Sequence, residues 1–161
     1  MLNESADNNY DAIVAAPFSH LGLRLMQGRL VEIEFLTNDV ALKDNTHKVI
    51  QQFQKQLAAY CEDARFVFDL PMRAHGTPYQ KRVWKGIAAI PAGETLSYGE
   101  LALKVSSGAR AVGNACRHNP LPLITPCHRV TAANGMGGFS GARTGHLMQV
   151  KQWLLKHEHA K

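Results

Sequence analysis

Residues 97–118 read SYGELALKVSSGARAVGNACRH, and they set the architecture of the second half of the chain. Ser97 followed three residues later by Glu100 is a capping-box pattern, which is typical of a helix start. Residues 106–108 predict a short turn that contains glycine, and a second helix follows over about residues 109–118. Two short helices joined by such a turn are typical of a helix-turn-helix, so we predict that motif here.

The second of these helices has an apolar face and a basic face. A basic face with small residues can approach a DNA groove closely, although a solvated amphipathic helix fits the same pattern. The apolar face consists of Val112, Ala115 and Cys116, and the other face carries Arg110, Gly113, Asn114 and Arg117.

The charge of the chain is unevenly distributed along its 161 residues. Residues 1–72 carry 6 basic and 10 acidic side chains, whereas residues 73–161 carry 12 basic and 3 acidic ones. This asymmetry favours a polyanion, most simply nucleic acid, as the partner of the second half. The three cysteines form no CxxC pair and no apolar run is long enough to cross a bilayer. We therefore expect no membrane contact, no disulfide framework and a cytoplasmic setting, associated with the nucleoid if the source is bacterial.

The first half of the chain predicts a small α+β arrangement behind a loose tail at residues 1–10. Residues 12–36 predict antiparallel strands, because apolar and polar residues alternate there. Residues 45–60 predict a helix, since apolar residues recur every three or four positions. Residues 66–70 predict a further short strand that ends at Pro71.

The predicted fold is α+β in two parts. An N-terminal support domain with an antiparallel sheet and a helix spans residues 1–72, and a joint follows at residues 73–76. We predict that residues 77–161 form a mainly helical, winged-helix-like domain, and we expect this domain to bind DNA and to hold any reactive residues.

The stretch LPLITPCHRV, residues 121–130, places a cysteine between proline and histidine. A thiol is a strong nucleophile only as thiolate, and His128 and Arg129 could lower its pKa. Glu158 falls on the apolar stripe of the last predicted helix, where a carboxylate is costly to bury without a partner. Cys127, His128 and Glu158 are thus a candidate relay of nucleophile, base and orienting carboxylate. A structural cysteine beside a surface histidine, with Glu158 in water at a frayed helix end, fits the same residues.

Residues 77–158 resemble the O6-alkylguanine-DNA alkyltransferase family. The PCHRV stretch at residues 126–130 matches the active-site motif of that family. Further matching segments are Thr77-Pro78-Tyr79-Gln80 with Val83-Trp84, Ser97-Tyr98, Arg110-Ala111-Val112-Gly113, Asn119-Pro120-Leu121-Pro122, Gly138-Phe139-Ser140-Gly141 and Trp153-Leu154-Leu155-Lys156-His157-Glu158.

The resemblance implies direct DNA repair without a cofactor. Some relatives bind structural zinc through N-terminal cysteine and histidine residues, but the first half of this chain has only Cys61, His20 and His47, so we predict no metal. The family moves an alkyl group from O6 of guanine, and less well from O4 of thymine, to its own cysteine. The thioether product is stable in water, so each molecule acts once. By resemblance Cys127 is the nucleophile, His128 its base through a water, and Glu158 orients the imidazole. Asn119 would brace the turn that holds the cysteine, and Tyr98 would give a hydrogen bond or proton to the departing guanine.

The resemblance also implies how DNA is held. The partner is double-stranded DNA that contains O6-alkylguanine, and the damaged nucleotide is flipped out of the duplex. Arg110 would fill the gap, and the protein would act as a monomer, with clustering on DNA left open. The expected DNA contacts are Ser107, Ala109, Arg110, Ala111, Gly113, Asn114, Arg117 and Lys104, and the expected base pocket consists of Tyr98, Val130, Phe139 and Ser140.

Two rival functions fit parts of the same sequence. A non-enzymatic sensor of alkylated DNA, or a helix-turn-helix regulator, would bind through the same motif without any transfer to Cys127. A cysteine hydrolase would use Cys127, His128 and Glu158 for many turnovers without DNA. The basic second half favours the DNA functions, and the cysteine favours the enzyme among them.

Overall fold

The computed structural model describes residues 9–142 and 144–159. The chain divides into two compact units between His75 and Gly76. The predicted α+β fold is confirmed, with an antiparallel sheet in the first unit and mainly helices in the second. Most of the predicted tail lies outside the described residues. Among the described helices, none has the length and apolar character that crossing a bilayer requires.

The first unit is built on a three-stranded antiparallel sheet. Its strands β1 (Ala12–Ala16), β2 (Ser19–Met26) and β3 (Arg29–Leu36) lie side by side in chain order. Helix α1 (Lys48–Glu62) follows. The buried residues of α1 are spaced by one to four positions, which gives the helix one apolar face, and they are Val49, Ile50, Phe53, Leu57 and Tyr60.

The strand predicted at residues 66–70 is absent, because this extended segment has no partner strand there. Instead, the Gln56 side chain forms hydrogen bonds with the backbone of Asp69. It accepts from the Asp69 N–H at 2.8 Å and donates to the Asp69 carbonyl at 2.7 Å. The Phe68 ring packs at 5.7 to 6.0 Å from the rings of Phe53, Tyr60 and Phe66. The alternation in the sequence therefore reflected an extended segment that packs on α1 through its aromatic side chains.

The second unit holds four α-helices among its described residues. These are α2 (Pro78–Ala88), α3 (Tyr98–Lys104), α4 (Ala109–Arg117) and α5 (His146–His157). A 3-10 turn at Cys127–Arg129 leads into β5 (Val130–Thr131), which pairs in parallel with β4 (Leu96–Ser97).

Both predicted capping boxes are present. Thr77 and Gln80 exchange hydrogen bonds at the start of α2, and Ser97 and Glu100 do the same at the start of α3. These side chains accept hydrogen bonds from N–H groups that have no partner within the helix. Because the pattern is local, the sequence predicts where each helix starts.

The helix-turn-helix formed by α3 and α4 is confirmed. Residues 105–108 connect the two helices, and Val112, Ala115 and Cys116 of α4 are buried as predicted. Trp84 of α2 donates through Nε1 to the Ala115 carbonyl at 2.9 Å, which ties α2 to the second helix of the motif.

Candidate active site

Asn119 closes the turn that precedes Cys127. Its Nδ2 donates to the Thr125 carbonyl at 2.8 Å, and its Oδ1 accepts from the Leu121 N–H at 3.0 Å. The Cys127 N–H donates to the same Thr125 carbonyl at 2.8 Å. One side-chain amide thus holds both ends of the loop, and the cysteine emerges from a constrained backbone.

Glu158 lies immediately after α5 and is the common acceptor of a buried polar cluster. Its Oε2 is 2.9 Å from His128 Nε2, and neither side chain has exposed surface. The Arg129 guanidinium donates to both carboxylate oxygens at 2.9 and 3.0 Å, and to the Ile90 carbonyl at 2.6 Å. A buried carboxylate with this many donors stays ionised.

The contact with Glu158 decides which form of His128 is present. Since a carboxylate only accepts hydrogen bonds, Nε2 carries the hydrogen and Nδ1 carries the lone pair. Nδ1 has no hydrogen-bond partner among the described residues. Burial lowers the pKa of His128, although the hydrogen bond and charge of Glu158 oppose that shift. The neutral imidazole can therefore accept a proton at Nδ1.

The surroundings of Cys127 favour the neutral thiol, although the sequence predicts that His128 and Arg129 lower its pKa. Burial raises the pKa of Cys127 to about 11, while the Asn119 side chain and the Lys151 charge lower it. Arg129, expected to help, instead contacts Glu158. Proton removal must therefore accompany any reaction of this sulfur.

Lys151 of α5 is the cation that acts on the cysteine. Its ammonium has no exposed surface and donates to three main-chain oxygens, those of Val130, Met136 and Gly138, at 2.9, 2.6 and 2.8 Å. These bonds use all three N–H donors of the ammonium. Burial lowers the pKa of Lys151 to about 8. Near neutral pH the charged form still predominates, so its positive charge lowers the pKa of Cys127.

A cavity of about 530 Å³ opens beside Cys127. Its walls come from α4, from Tyr98 at the start of α3, and from the glycine-rich loop at residues 137–142. The volume is in the range of pockets that hold small molecules, and it suits a single nucleobase. Of the predicted site residues, the cavity brings together Cys127, Tyr98, Arg110, Gly113, Arg117, Phe139 and Ser140.

Residues 78–160 match the family described as 6-O-methylguanine DNA methyltransferase, DNA binding domain. The constitutive methylated-DNA--protein-cysteine methyltransferase of Bacillus subtilis is 32% identical over 161 residues, which cover 93% of this chain and 95% of that protein. This chain belongs to the 6-O-methylguanine DNA methyltransferase family.

Other members of the methyltransferase family agree in sequence and in structure. The methylated-DNA--protein-cysteine methyltransferase of Methanosarcina mazei is 41% identical over 110 residues, 67% of each chain. The crystal structure of Mycobacterium tuberculosis OGT in complex with DNA superposes with a TM-score of 0.73 at 34% identity, and it covers 91% of both chains.

Five residues assigned by resemblance to DNA contact or to the base pocket lie outside the lining that the described residues give the cavity, and one of them, Lys104, is exposed on α3. Val130 is fully buried; its N–H donates to the Cys127 carbonyl and its carbonyl accepts from Lys151. Ala111 and Asn114 are exposed on α4, and Ser107 shares a 2.7 Å hydrogen bond with the Tyr79 hydroxyl.

The glycine-rich loop fits closely around Tyr98 and Arg117. Gly137 has a φ of 70°, and a Cβ there would lie 3.1 Å from the Tyr98 ring. Gly141 has a φ of 85°, and a Cβ there would lie 3.0 Å from Nε of Arg117. Larger residues would strain the backbone at both positions, and at Gly137 they would also crowd the Ala132 backbone nitrogen and the Tyr98 ring, so the methyltransferase pocket depends on these two glycines.

Two contributors to the methyltransferase site were missed in the sequence. Lys151 lies four residues after Leu147 and seven before Glu158, so it shares their helix face, and the spacing that singled out Glu158 also singles out this lysine. Cys116 was assigned only to the core, yet it lines the cavity. No sequence pattern predicts that second role, because it depends on how α4 meets the 3-10 turn.

Proposed function

We infer that this protein repairs DNA by moving an alkyl group from O6 of guanine to its own Cys127, once per molecule. The inference rests on the arrangement of Cys127, His128 and Glu158. Cys127 lines a cavity of nucleobase size, while the adjacent His128 is buried and held by Glu158. The family shown by the comparisons performs this class of reaction, and DNA is accordingly its partner.

The transfer is a displacement at carbon. Cys127 Sγ forms a bond to the alkyl carbon as the bond from that carbon to O6 breaks, and the bonding electrons pass to the guanine. The thiol proton moves to Nδ1 of His128 through a bridging water, because Nδ1 holds the free lone pair. The products are a thioether and guanine, so the protein is spent.

Guanine becomes a better leaving group when it gains a proton as the bond breaks. Tyr98 lies on the cavity wall, where its hydroxyl donates a long hydrogen bond of 3.5 Å to the Gly138 carbonyl. We assign it the role of donor to the departing purine.

The nucleotide must leave the duplex to reach this cavity. Arg110 and Arg117 are exposed residues of α4 that line the cavity, and Arg110 would occupy the space that the base vacates. Ala111, Gly113 and Asn114 would face the minor groove, with Ser107 and Lys104 nearer the phosphates. Phe139 and Ser140 would contact the flipped base.

Finer aspects of the proposal come from the resemblance to the alkyltransferase family. We propose O6-alkylguanine in duplex DNA as the preferred lesion, O4-alkylthymine as a weaker one, and a monomer as the working unit. Since the substrate is DNA, we place the protein where the cell keeps its DNA, which is the cytoplasm in a bacterium. Relatives named as methyltransferases favour transfer over the sensor alternative.

Intact-protein mass spectrometry tests the proposal directly. The protein is incubated with a duplex that carries one O6-methylguanine, and a gain of one methyl group per molecule is expected on the peptide that contains Cys127. Cys127→Ser should bind the duplex without any mass gain, and Cys61→Ser should react like the parent. A parent that binds the lesion without gaining mass would instead establish the sensor function, and repeated turnover of an ester without DNA would establish the hydrolase.

A further inference from the structure

The cavity beside Cys127 has an exposed rim and a buried inner end. The rim residues Arg110, Arg117 and Ser140 are exposed. Among the described lining residues, three side chains are almost fully buried. They are Cys116, Cys127 and Phe139, which are 7%, 4% and 3% exposed.

The chemistry of transfer places the alkyl group at the inner end. The carbon that leaves O6 must come within bonding distance of Cys127 Sγ, so the rest of the alkyl group, which is attached to that carbon, stays beside the sulfur. In a displacement the attacking and leaving atoms lie in line with the carbon, and its other substituents point sideways. The side chains that share the inner end with Cys127 therefore limit what fits there.

Cys116 shares that end without competing as a nucleophile. Burial raises the pKa of Cys116 to about 12, and the nearby sulfur of Cys127 adds to the rise, whereas the Lys151 charge lowers it. Cys116 therefore remains a neutral thiol, which packs as a small apolar group.

The backbone of α4 fixes where the Cys116 side chain begins. The preceding carbonyl, that of Ala115, accepts the 2.9 Å hydrogen bond from Trp84. Phe139, in contrast, sits in a loop, where its N–H and carbonyl pair with Ala142 at 2.8 and 2.9 Å. A change of side-chain size at Cys116 therefore alters the space beside the nucleophile on a rigid element.

We propose that the side chain of Cys116 sets the largest alkyl group that this protein accepts. This rests on the proposed function, since it concerns the alkyl end of the same cavity. Cysteine is small, so the parent should accept groups larger than methyl. A bulkier residue at this position should exclude them while methyl transfer continues.

The test compares two duplexes, one with O6-methylguanine and one with O6-benzylguanine, in single-turnover rates of thioether formation. Cys116→Leu should lower the ratio of benzyl to methyl rates by about 10-fold or more, since a pocket that is short of space rejects extra carbons by that factor. Cys116→Ala should raise the ratio or leave it at the parent value. Cys116→Ser matches the parent in size and should keep the ratio within about 2-fold.

The outcomes separate this inference from the proposed function. Absence of methyl transfer in the parent would overturn the proposed function itself. Normal methyl transfer with the same benzyl-to-methyl ratio in the leucine and parent proteins would overturn the role of Cys116 alone. Should Cys116→Leu fail to fold, as judged by circular dichroism, Cys116→Val replaces it and must lower the ratio. Peptide mapping must find each alkyl group on Cys127, because any on Cys116 would contradict its role as a wall.

Discussion

His128 Nε2 lies 2.9 Å from Glu158 Oε2, and both side chains are wholly buried. The carboxylate also takes two hydrogen bonds from Arg129, so its charge is balanced before any proton moves. His128 is thereby held in one tautomer as a neutral base, and it can become an imidazolium beside a carboxylate that stabilises it. The arrangement suits a thiol that is protonated at rest.

Glu158→Gln should slow alkyl transfer by about 100-fold, because the imidazole loses its orienting carboxylate. The pKa of His128 should also fall, since Glu158 raises it, so the acid limb of the pH–rate profile should move to lower pH. Single-turnover rates between pH 5 and 8 measure both effects. Glu94→Gln, at an exposed position, is the control, and an unchanged rate in Glu158→Gln would refute the relay.

Lys151→Met should slow transfer by about 10-fold at neutral pH, because the pKa of Cys127 rises when the positive charge of Lys151, which lowers it, is removed. The pH dependence of Cys127 alkylation by iodoacetamide reports this pKa directly. Lys156→Met, on an exposed position of the same helix, should behave like the parent. Equal pH profiles for the two variants would show that Lys151 acts on the loop alone.

Asn119→Ala should destabilise the protein by about 2 kcal/mol, since two hydrogen bonds that close the turn before Cys127 are lost. Transfer should slow while the affinity for an undamaged duplex stays the same. Urea unfolding, single-turnover rates and binding isotherms check these three effects. The exposed Asn134→Ala serves for comparison, and a loss of DNA affinity in Asn119→Ala would contradict a purely local role.

Arg110→Ala should impair repair of duplex DNA by 10-fold or more and leave reaction with the free base O6-methylguanine unchanged, because only the duplex needs its gap filled. The salt dependence of duplex binding should fall by up to about one unit in the slope of log K against log salt if Arg110 also meets a phosphate. Arg29→Ala, exposed in the first unit, should alter neither quantity. Equal losses on free base and duplex would assign Arg110 to the pocket instead.

The free energy of unfolding should fall as pH rises above 9. Both Cys116 and Cys127 have pKa values raised from 9.0, to about 12 and about 11, so the folded protein keeps protons that the unfolded chain releases. Lys151, lowered from 10.5 to about 8, works in the opposite direction between those two values. Urea unfolding under reducing conditions at pH 9.5 and 10.5 should show a slope about 1.4 kcal/mol per pH unit shallower in Cys116→Ala. Parallel slopes would contradict the raised pKa of Cys116.

Local patterns predicted those parts of the molecule that depend on neighbours in the chain. The capping boxes and the turn at residues 106–108 each act within a few residues, so the helix-turn-helix was readable. The position of Glu158 on a helix stripe likewise predicted its burial, while its pairing with His128 was expected as one of two alternatives.

Features that depend on contacts between distant segments could not be predicted from the sequence. The extended run at residues 66–70 pairs with the Gln56 side chain, and alternation alone cannot distinguish such a segment from a strand. Arg129 was assigned to the thiol because the two are close in sequence, yet it points to Glu158. The second role of Cys116 arises only where α4 meets the cavity.

The three carbonyls that meet on Lys151 have a consequence for how this fold can change over evolution. The oxygens of Val130, Met136 and Gly138 must converge on one nitrogen, so an insertion or deletion between those positions would withdraw at least one of them. No comparable convergence on this ammonium constrains the residues described after Ala142. Insertions and deletions among homologous chains should therefore occur after this segment, and not between the residues whose carbonyls bind Lys151.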